Sequence, residues 1–238
     1  MISIKKNEAP ILDLPEFSVD KQLHKKLNEY DITHLMNKSN FTLFLGKAGS
    51  GKSSLLISFL KTKKLFKKVF HQIFLFCPTN SRKSIKNDFW SELPDEQIFD
   101  EVSLENLQVA YDKARENAKE GYKTLFILDD VQKYLKGENE KLLLHIINNR
   151  RHALTSVWMC CQNYFQIPKQ VRQALTDMFV FKINKTEAEN LFAEQFEQHK
   201  DKFIEILTIC FKNNHDFMYL NTNSQRIFSN FNELIIPE

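Results

Sequence analysis

The stretch Phe41 to Phe59 reads FTLFLGKAGSGKSSLLISF, and it constrains the chain more than any other. An apolar run, Phe41-Thr42-Leu43-Phe44-Leu45, ends in Gly46-Lys47-Ala48-Gly49-Ser50-Gly51-Lys52-Ser53, and apolar residues at helical spacing follow. The octapeptide fits G-x-x-x-x-G-K-[ST], a phosphate-binding loop set between a strand and a helix. Glycines let the backbone curl until several N–H groups point at one anion, and the helix N-terminus adds its partial positive charge. Lys52 then reaches the β- and γ-phosphates of a nucleoside triphosphate, and the Ser53 hydroxyl, with Ser54 beside it, is placed to ligate Mg²⁺. The chain holds 5 glycines, and Gly46, Gly49 and Gly51 are three of them. Glycine is concentrated where a tight loop needs it.

The 238 residues suffice for one sizeable core, and 42% hydrophobic with 26% charged residues is ordinary for a globular protein. Phe, at 21 residues, is overused and implies a Phe-rich interior. No apolar run approaches a membrane span, and the start, MISIKKNEAPILDLPEF, has no continuous apolar core of a signal peptide. A net charge of +3 gives no bulk argument for nucleic acid, so any DNA contact must use local patches. Cys77, Cys160, Cys161 and Cys210 show no metal-binding spacing; they read as buried thiols in a reducing compartment.

Along the chain, residues 1 to 40 are expected to form an N-terminal extension with one amphipathic helix, Asp20 to Met36, carrying Leu23, Leu27 and Tyr30. Residues 41 to 238 are expected to form the nucleotide-binding domain. Strands are expected at Phe41–Leu45, Val69–Cys77, Thr124–Leu128, Leu154–Cys161 and Met178–Ile183. Helical spacing marks the segment after the loop, Leu104–Ala118, Glu138–Asn149, a short piece around Arg172, and Thr186–Lys212. Ser91 to Val102 is irregular and acidic, and Phe217–Leu220 with Arg226–Phe228 reads as a closing hairpin. Alternating strands and helices imply βαβ units: an α/β three-layer α/β/α sandwich around a mostly parallel sheet. Ligands of such sheets bind beyond the strand C-termini, so motifs placed there should converge.

Two further motifs fall at strand C-termini. Leu125-Phe126-Ile127-Leu128-Asp129-Asp130 has the form of a Walker B motif, in which Asp129 holds Mg²⁺ opposite Ser53 and Asp130 polarises the attacking water as general base. Gln162 closes the next strand, where a neutral amide orients that water. Arg150, Arg151 and His152 precede the same strand and therefore lie at the opposite edge. An arginine there is suited to a neighbour's γ-phosphate in a ring, or simply to a solvated helix end. Arg151 is the first candidate for such a finger, with Arg150 and Arg172 as the others. Cations for DNA phosphates are offered by Arg82, Lys83 and Lys86, or by Lys61 to Lys68.

The order GKAGSGKSS, FLFCPTN, LFILDDV, NNRRHALTSVWMCCQN and IPKQVRQA resembles the DNA-packaging ATPases of large DNA viruses and virophages, the poxvirus-type branch of the FtsK–HerA superfamily. The resemblance covers Phe41 to Ile183 and implies an ASCE-type P-loop core, with the catalytic strand between the P-loop strand and the Walker B partner strand. It implies a motor that hydrolyses ATP with Mg²⁺ to drive double-stranded DNA into a preformed capsid at its portal vertex, as a homo-oligomeric ring of five or six subunits. The same resemblance places it in the host cytoplasm, a viral factory or the virion. By that analogy Lys52, Asp130, Gln162 and Arg151 are catalytic. Two arginines stand where one would do. The rival readings are a HerA-like translocase or helicase outside packaging, a nucleoside monophosphate kinase whose lid would be Gln166 to Leu175, and a non-catalytic switch, against which the Asp129-Asp130 pair argues.

Overall fold

The computed structural model describes residues 2–6, 36, 39–62, 65–82 and 89–237. The expected Asp20–Met36 helix lies outside these residues apart from Met36, as do Lys63, Lys64, Lys83 and Lys86.

Among the described residues ten strands form one sheet: β1 (Ser3–Lys5), β2 (Phe41–Leu45), β3 (Gln72–Phe76), β4 (Ile98–Phe99), β5 (Thr124–Asp129), β6 (Thr155–Cys161), β7 (Asp177–Phe181), β8 (Phe217–Asn221), β9 (Arg226–Ser229) and β10 (Asn232–Ile235). Their order is β1-β10-β9-β8-β7-β2-β6-β5-β3-β4. From β7 through β4 all neighbours are parallel, and β8, β9, β10 and β1 continue the sheet antiparallel. The central strands are apolar throughout because a parallel sheet is covered on both faces.

Strand alternation sorts the core into two layers. Leu43, Phe126, Val157 and Met178 face α3 (Leu104–Lys119), α4 (Glu138–Asn149), α6 (Lys185–Gln195) and α7 (Phe203–Cys210). Phe44, Ile127, Trp158 and Phe179 face α1 (Lys52–Lys61) through Leu55, Leu56 and Phe59. Aromatic rings fill that second layer: Phe44 stacks on Phe179 at 5.2 Å, and Phe59 meets Phe179 edge-on at 5.1 Å. The short helices α2 (Thr79–Arg82) and α5 (Lys169–Gln173) follow β3 and β6.

Three expectations are corrected. Thr186–Lys212 is not one helix: α6 and α7 are separated by a 3₁₀ stretch, Glu197–Lys202. Phe196 leaves helical geometry (φ −140°, ψ 50°) and is fully buried beside Phe192, whose ring also meets Phe203 at 6.2 Å. Aromatic burial outweighs helix continuity there. The acidic Ser91–Val102 stretch is not wholly irregular, since Ile98–Phe99 adds to β3 in parallel. The closing hairpin is a three-stranded meander, and Ser3–Lys5 from the chain's start pairs with its last strand.

Candidate functional site

The loop from Gly46 to Gly51 joins β2 to α1, and its glycines are required by space and dihedral angle. A Cβ on Gly46 would lie 2.7 Å from Phe181 Cβ and 2.8 Å from Ser50 Oγ, while Gly51 adopts φ 106° in the left-handed region. The α1 N-terminus has neither a side-chain cap at Gly51 nor an acid in its first turn, so its leading N–H groups present a cationic end. Lys52 Nζ donates to the carbonyl oxygens of Gly46 at 2.7 Å and Lys47 at 2.9 Å, which holds the ammonium at the loop's mouth. Ser50 Oγ is buried without a hydrogen-bond partner. These features fit a bound phosphate chain.

Strand register brings the other motifs to the same edge. Leu45 pairs with Cys161, and Cys160 pairs with Asp129. Gly46, Gln162 and Asp130 each stand one residue beyond these paired positions on adjacent strands, spaced about 4.8 Å apart. The Gly46 N–H donates to the Cys161 carbonyl at 3.1 Å, which ties the loop to β6. Burial pushes the Asp129 carboxyl up to about 6, with the Lys52 ammonium pulling it down and Asp130 adding to the rise. Burial makes a carboxylate so placed receptive to a cation that restores its ionised form. Asp130 is exposed at φ 57° and accepts a hydrogen bond from Ser81 Oγ at 3.3 Å. Gln162 is exposed. Below it, Gln132 Nε2 donates to the Cys160 carbonyl at 2.8 Å and braces the Walker B turn against β6. Motif reading did not single out Gln132.

The arginines separate by environment. Arg150 is half-buried at the opposite sheet edge, its Nε on the Ser39 carbonyl and Nη1 on the Ile147 carbonyl. Arg151 beside it is exposed. Arg172 is buried: it donates to both Glu194 carboxylate oxygens and to the Ile167 carbonyl, and stacks over Tyr164 at 4.8 Å. Its guanidinium fixes the β6–α5 loop. Arg82 donates to Asp100 at 2.9 Å, so its charge is locally matched, while Lys83 and Lys86 lie outside the described residues.

Sequence reasoning also missed His215. It sits in the loop between α7 and β8 at φ 64°, and its Nδ1 lies 3.1 Å from the Ser50 carbonyl, an acceptor, so Nδ1–H donates. A Cβ on Gly51 would lie 3.5 Å from that nitrogen. Asp216 shapes the loop by accepting from Asn213 N at 2.6 Å. Contact across 165 positions leaves no mark in spacing. Between the P-loop, the Lys182–Asn184 turn and this loop lies a cavity of about 660 Å³.

Comparison with known proteins agrees with this architecture. The chain is 30% identical over 169 residues to "DNA packaging protein OPG160" of Variola virus and of Vaccinia virus (strain Western Reserve), covering 67% of this chain and 59% of each relative. The chain thus spans under two thirds of the length of these relatives. The fold is similar to that of B204, "the DNA-packaging ATPase from Sulfolobus Turreted Icosahedral Virus", with TM-score 0.61 at 16% identity over 85% of this chain and all of that one. It is also similar to "the genome packaging NTPase B204 from Sulfolobus turreted icosahedral virus 2 in complex with AMPPCP", with TM-score 0.59 at 14% identity over 85% and 100% of the two chains. Residues 27–235 match the family described as Poxvirus A32 protein, and with its P-loop, its Asp-Asp strand end and its Gln-capped central strand, the chain belongs to that family.

Proposed function

We propose that the chain is an ATP-driven motor that moves double-stranded DNA into a preformed viral capsid. The observation that carries the reading is the convergence of Gly46–Ser53, Asp129–Asp130 and Gln162 on one edge of the sheet, with β6 between β2 and β5. The names of the poxviral relatives and of B204 support the packaging assignment.

In this reading the P-loop N–H groups and Lys52 hold the β- and γ-phosphates. Ser53 and Asp129 would hold Mg²⁺, which would neutralise phosphate charge when bound. Asp130 takes a proton from the attacking water and Gln162 orients it. These residues lie on the β6–β5 side of the P-loop strand, so the triphosphate's terminal end points there. The nucleoside then extends to the β7 side, into the cavity beside His215. Arg151, at the opposite edge, serves a neighbouring subunit in a homo-oligomeric ring. Such a motor would act at the capsid's portal vertex, in the cytoplasm or viral factory. A kinase reading requires Gln166 to Leu175 to close as a lid, and the Arg172–Glu194 pair anchors that segment instead.

The test is ATP hydrolysis by the purified protein with and without double-stranded DNA. DNA is expected to stimulate hydrolysis, and Asp130→Asn to lower it by about 10²-fold or more. Hydrolysis indifferent to DNA, or phosphoryl transfer to a nucleoside monophosphate, would reject the motor.

A further inference from the structure

A second cavity, of about 540 Å³, opens at the sheet edge opposite the P-loop, between the C-terminal turns of α3 and α4. Its wall carries Arg115, Lys119, His145 and His152, with Tyr111 and Asn149; Asp112 on the same helix lies 3.9 Å from Arg115, a long and exposed pair. His152 adjoins Arg151. Arg115, Lys119, His145 and His152 are all exposed. The α3 macrodipole favours a cation at its last turn, which accounts for Lys119. The α4 macrodipole likewise favours Arg151 and His152 in the turn that follows its C-terminus, so the ends of two helices gather cations at this edge.

The complementary surface lies at the other end of the same helix. From Phe89 to Glu105 the chain carries Glu92, Asp95, Glu96, Asp100, Glu101 and Glu105 and no Lys, Arg or His. All six are exposed. This stretch is joined to the Walker B acid through a short polar chain: Arg82 bonds Asp100, and neighbouring Ser81 bonds Asp130. The acidic surface therefore flanks Asp130, and the basic cavity flanks Arg151. Since α3 has 16 residues, its ends are about 24 Å apart, and neither surface can satisfy the other within one chain.

We propose that the basic cavity at the α3–α4 end receives the acidic Asp95–Glu101 loop of a second copy of this chain, head to tail. The contact is heterologous, so repetition generates a ring when the rotation between copies closes and an open filament when it does not. It brings the Arg151 edge of one copy towards the Asp130 edge of the next. The inference rests on the ring assembly of the motor reading and supplies the surface that would set its register.

Charge reversal tests it, with self-association measured by sedimentation in the presence of a non-hydrolysable ATP analogue. Arg115→Glu with Lys119→Glu reverses the cavity; Asp95→Lys, Glu96→Lys and Glu101→Lys reverse the loop, leaving Asp100 to hold Arg82. Each set alone is expected to weaken association at least tenfold. Both sets in one chain, which restore opposite signs between the reversed groups, are expected to return it to within about threefold of wild type. Thermal melting of each variant separates loss of contact from loss of fold. The wild-type association constant gives a measurement free of mutation: it is expected to fall about tenfold between 50 and 300 mM salt, as exposed charge pairs are screened. Half-reversed chains that assemble like wild type, a doubly reversed chain that does not recover, or a flat salt dependence would overturn the interface. A wild-type chain that stays monomeric overturns it as well. Assembly that depends on these charges, with hydrolysis indifferent to DNA, would keep the interface and reject the motor.

Discussion

Asp177 is a buried carboxyl far from the nucleotide edge, at the start of β7. Thr176 Oγ1 donates to it at 2.7 Å and the Tyr219 hydroxyl at 2.7 Å, with Asn221 at 3.3 Å. Burial still dominates and pushes it up to about 6, against those donors and Arg150. A carboxyl whose folded pKa lies above its unfolded value binds its proton more tightly in the folded state. Stability is therefore greatest below about pH 4 for this group and is lost as pH rises through 6. The loss is on the order of 3 kcal/mol at most. Asp177→Asn is expected to remove that part of the pH dependence, read from denaturant unfolding between pH 4 and pH 8, and to leave the part contributed by Asp129. An unchanged slope would assign the proton to another group. None of this was legible in the sequence, where Asp177 is one acid before an apolar run. The convergence of the P-loop, Asp129, Asp130 and Gln162 on one edge was legible because each follows an apolar run that reads as a strand. His215 and the Arg172–Glu194 pair were not legible because their partners, Ser50 and Glu194, are brought to them by tertiary packing.

At the scale of elements, the parallel core announced itself by apolar runs ended in functional residues, and its strands fall close to where spacing put them. The C-terminal meander announced itself only as the β8–β9 hairpin, and β10 did not show because its pairing owes more to its neighbours than to pattern. That region nevertheless reaches the nucleotide edge, since the loop leading into β8 places His215 against Ser50. A left-handed His in a loop pinned by Asp216 is held by its surroundings, and such residues gather at functional sites. Removing one hydrogen bond to the P-loop backbone costs about 1 kcal/mol, or about fivefold in affinity. His215→Ala is therefore expected to raise the KM for ATP about fivefold with kcat within about twofold. A fall in kcat at constant KM would place His215 in the chemistry rather than in holding the loop.

At the scale of the whole molecule, topology separates two edges of one sheet. The C-terminal edge carries the P-loop, Asp129, Asp130 and Gln162, on which the proposed triphosphate chemistry rests, and the N-terminal edge carries an exposed Arg151. Arg150, tied to Ser39 and Ile147, is spoken for by the fold, which leaves Arg151 as the side chain able to reach outward. On the proposed reading, a single chain contains both halves of an active site that it cannot close alone. This predicts a specific failure and a specific rescue. Arg151→Ala is expected to bind ATP normally and to hydrolyse it at least 10³-fold more slowly, the scale of an arginine supplied in trans. Lys52→Ala is expected to fail because its own loop no longer holds the phosphates. In a mixture of the two, an intact Lys52 site on an Arg151→Ala subunit can sit beside a Lys52→Ala subunit whose Arg151 is intact. Such sites should hydrolyse ATP, and activity should be highest near equal proportions. If the mixture is as inactive as its components while both still assemble, Arg151 acts within its own subunit or not at all, and the two edges of the sheet are not joined by catalysis.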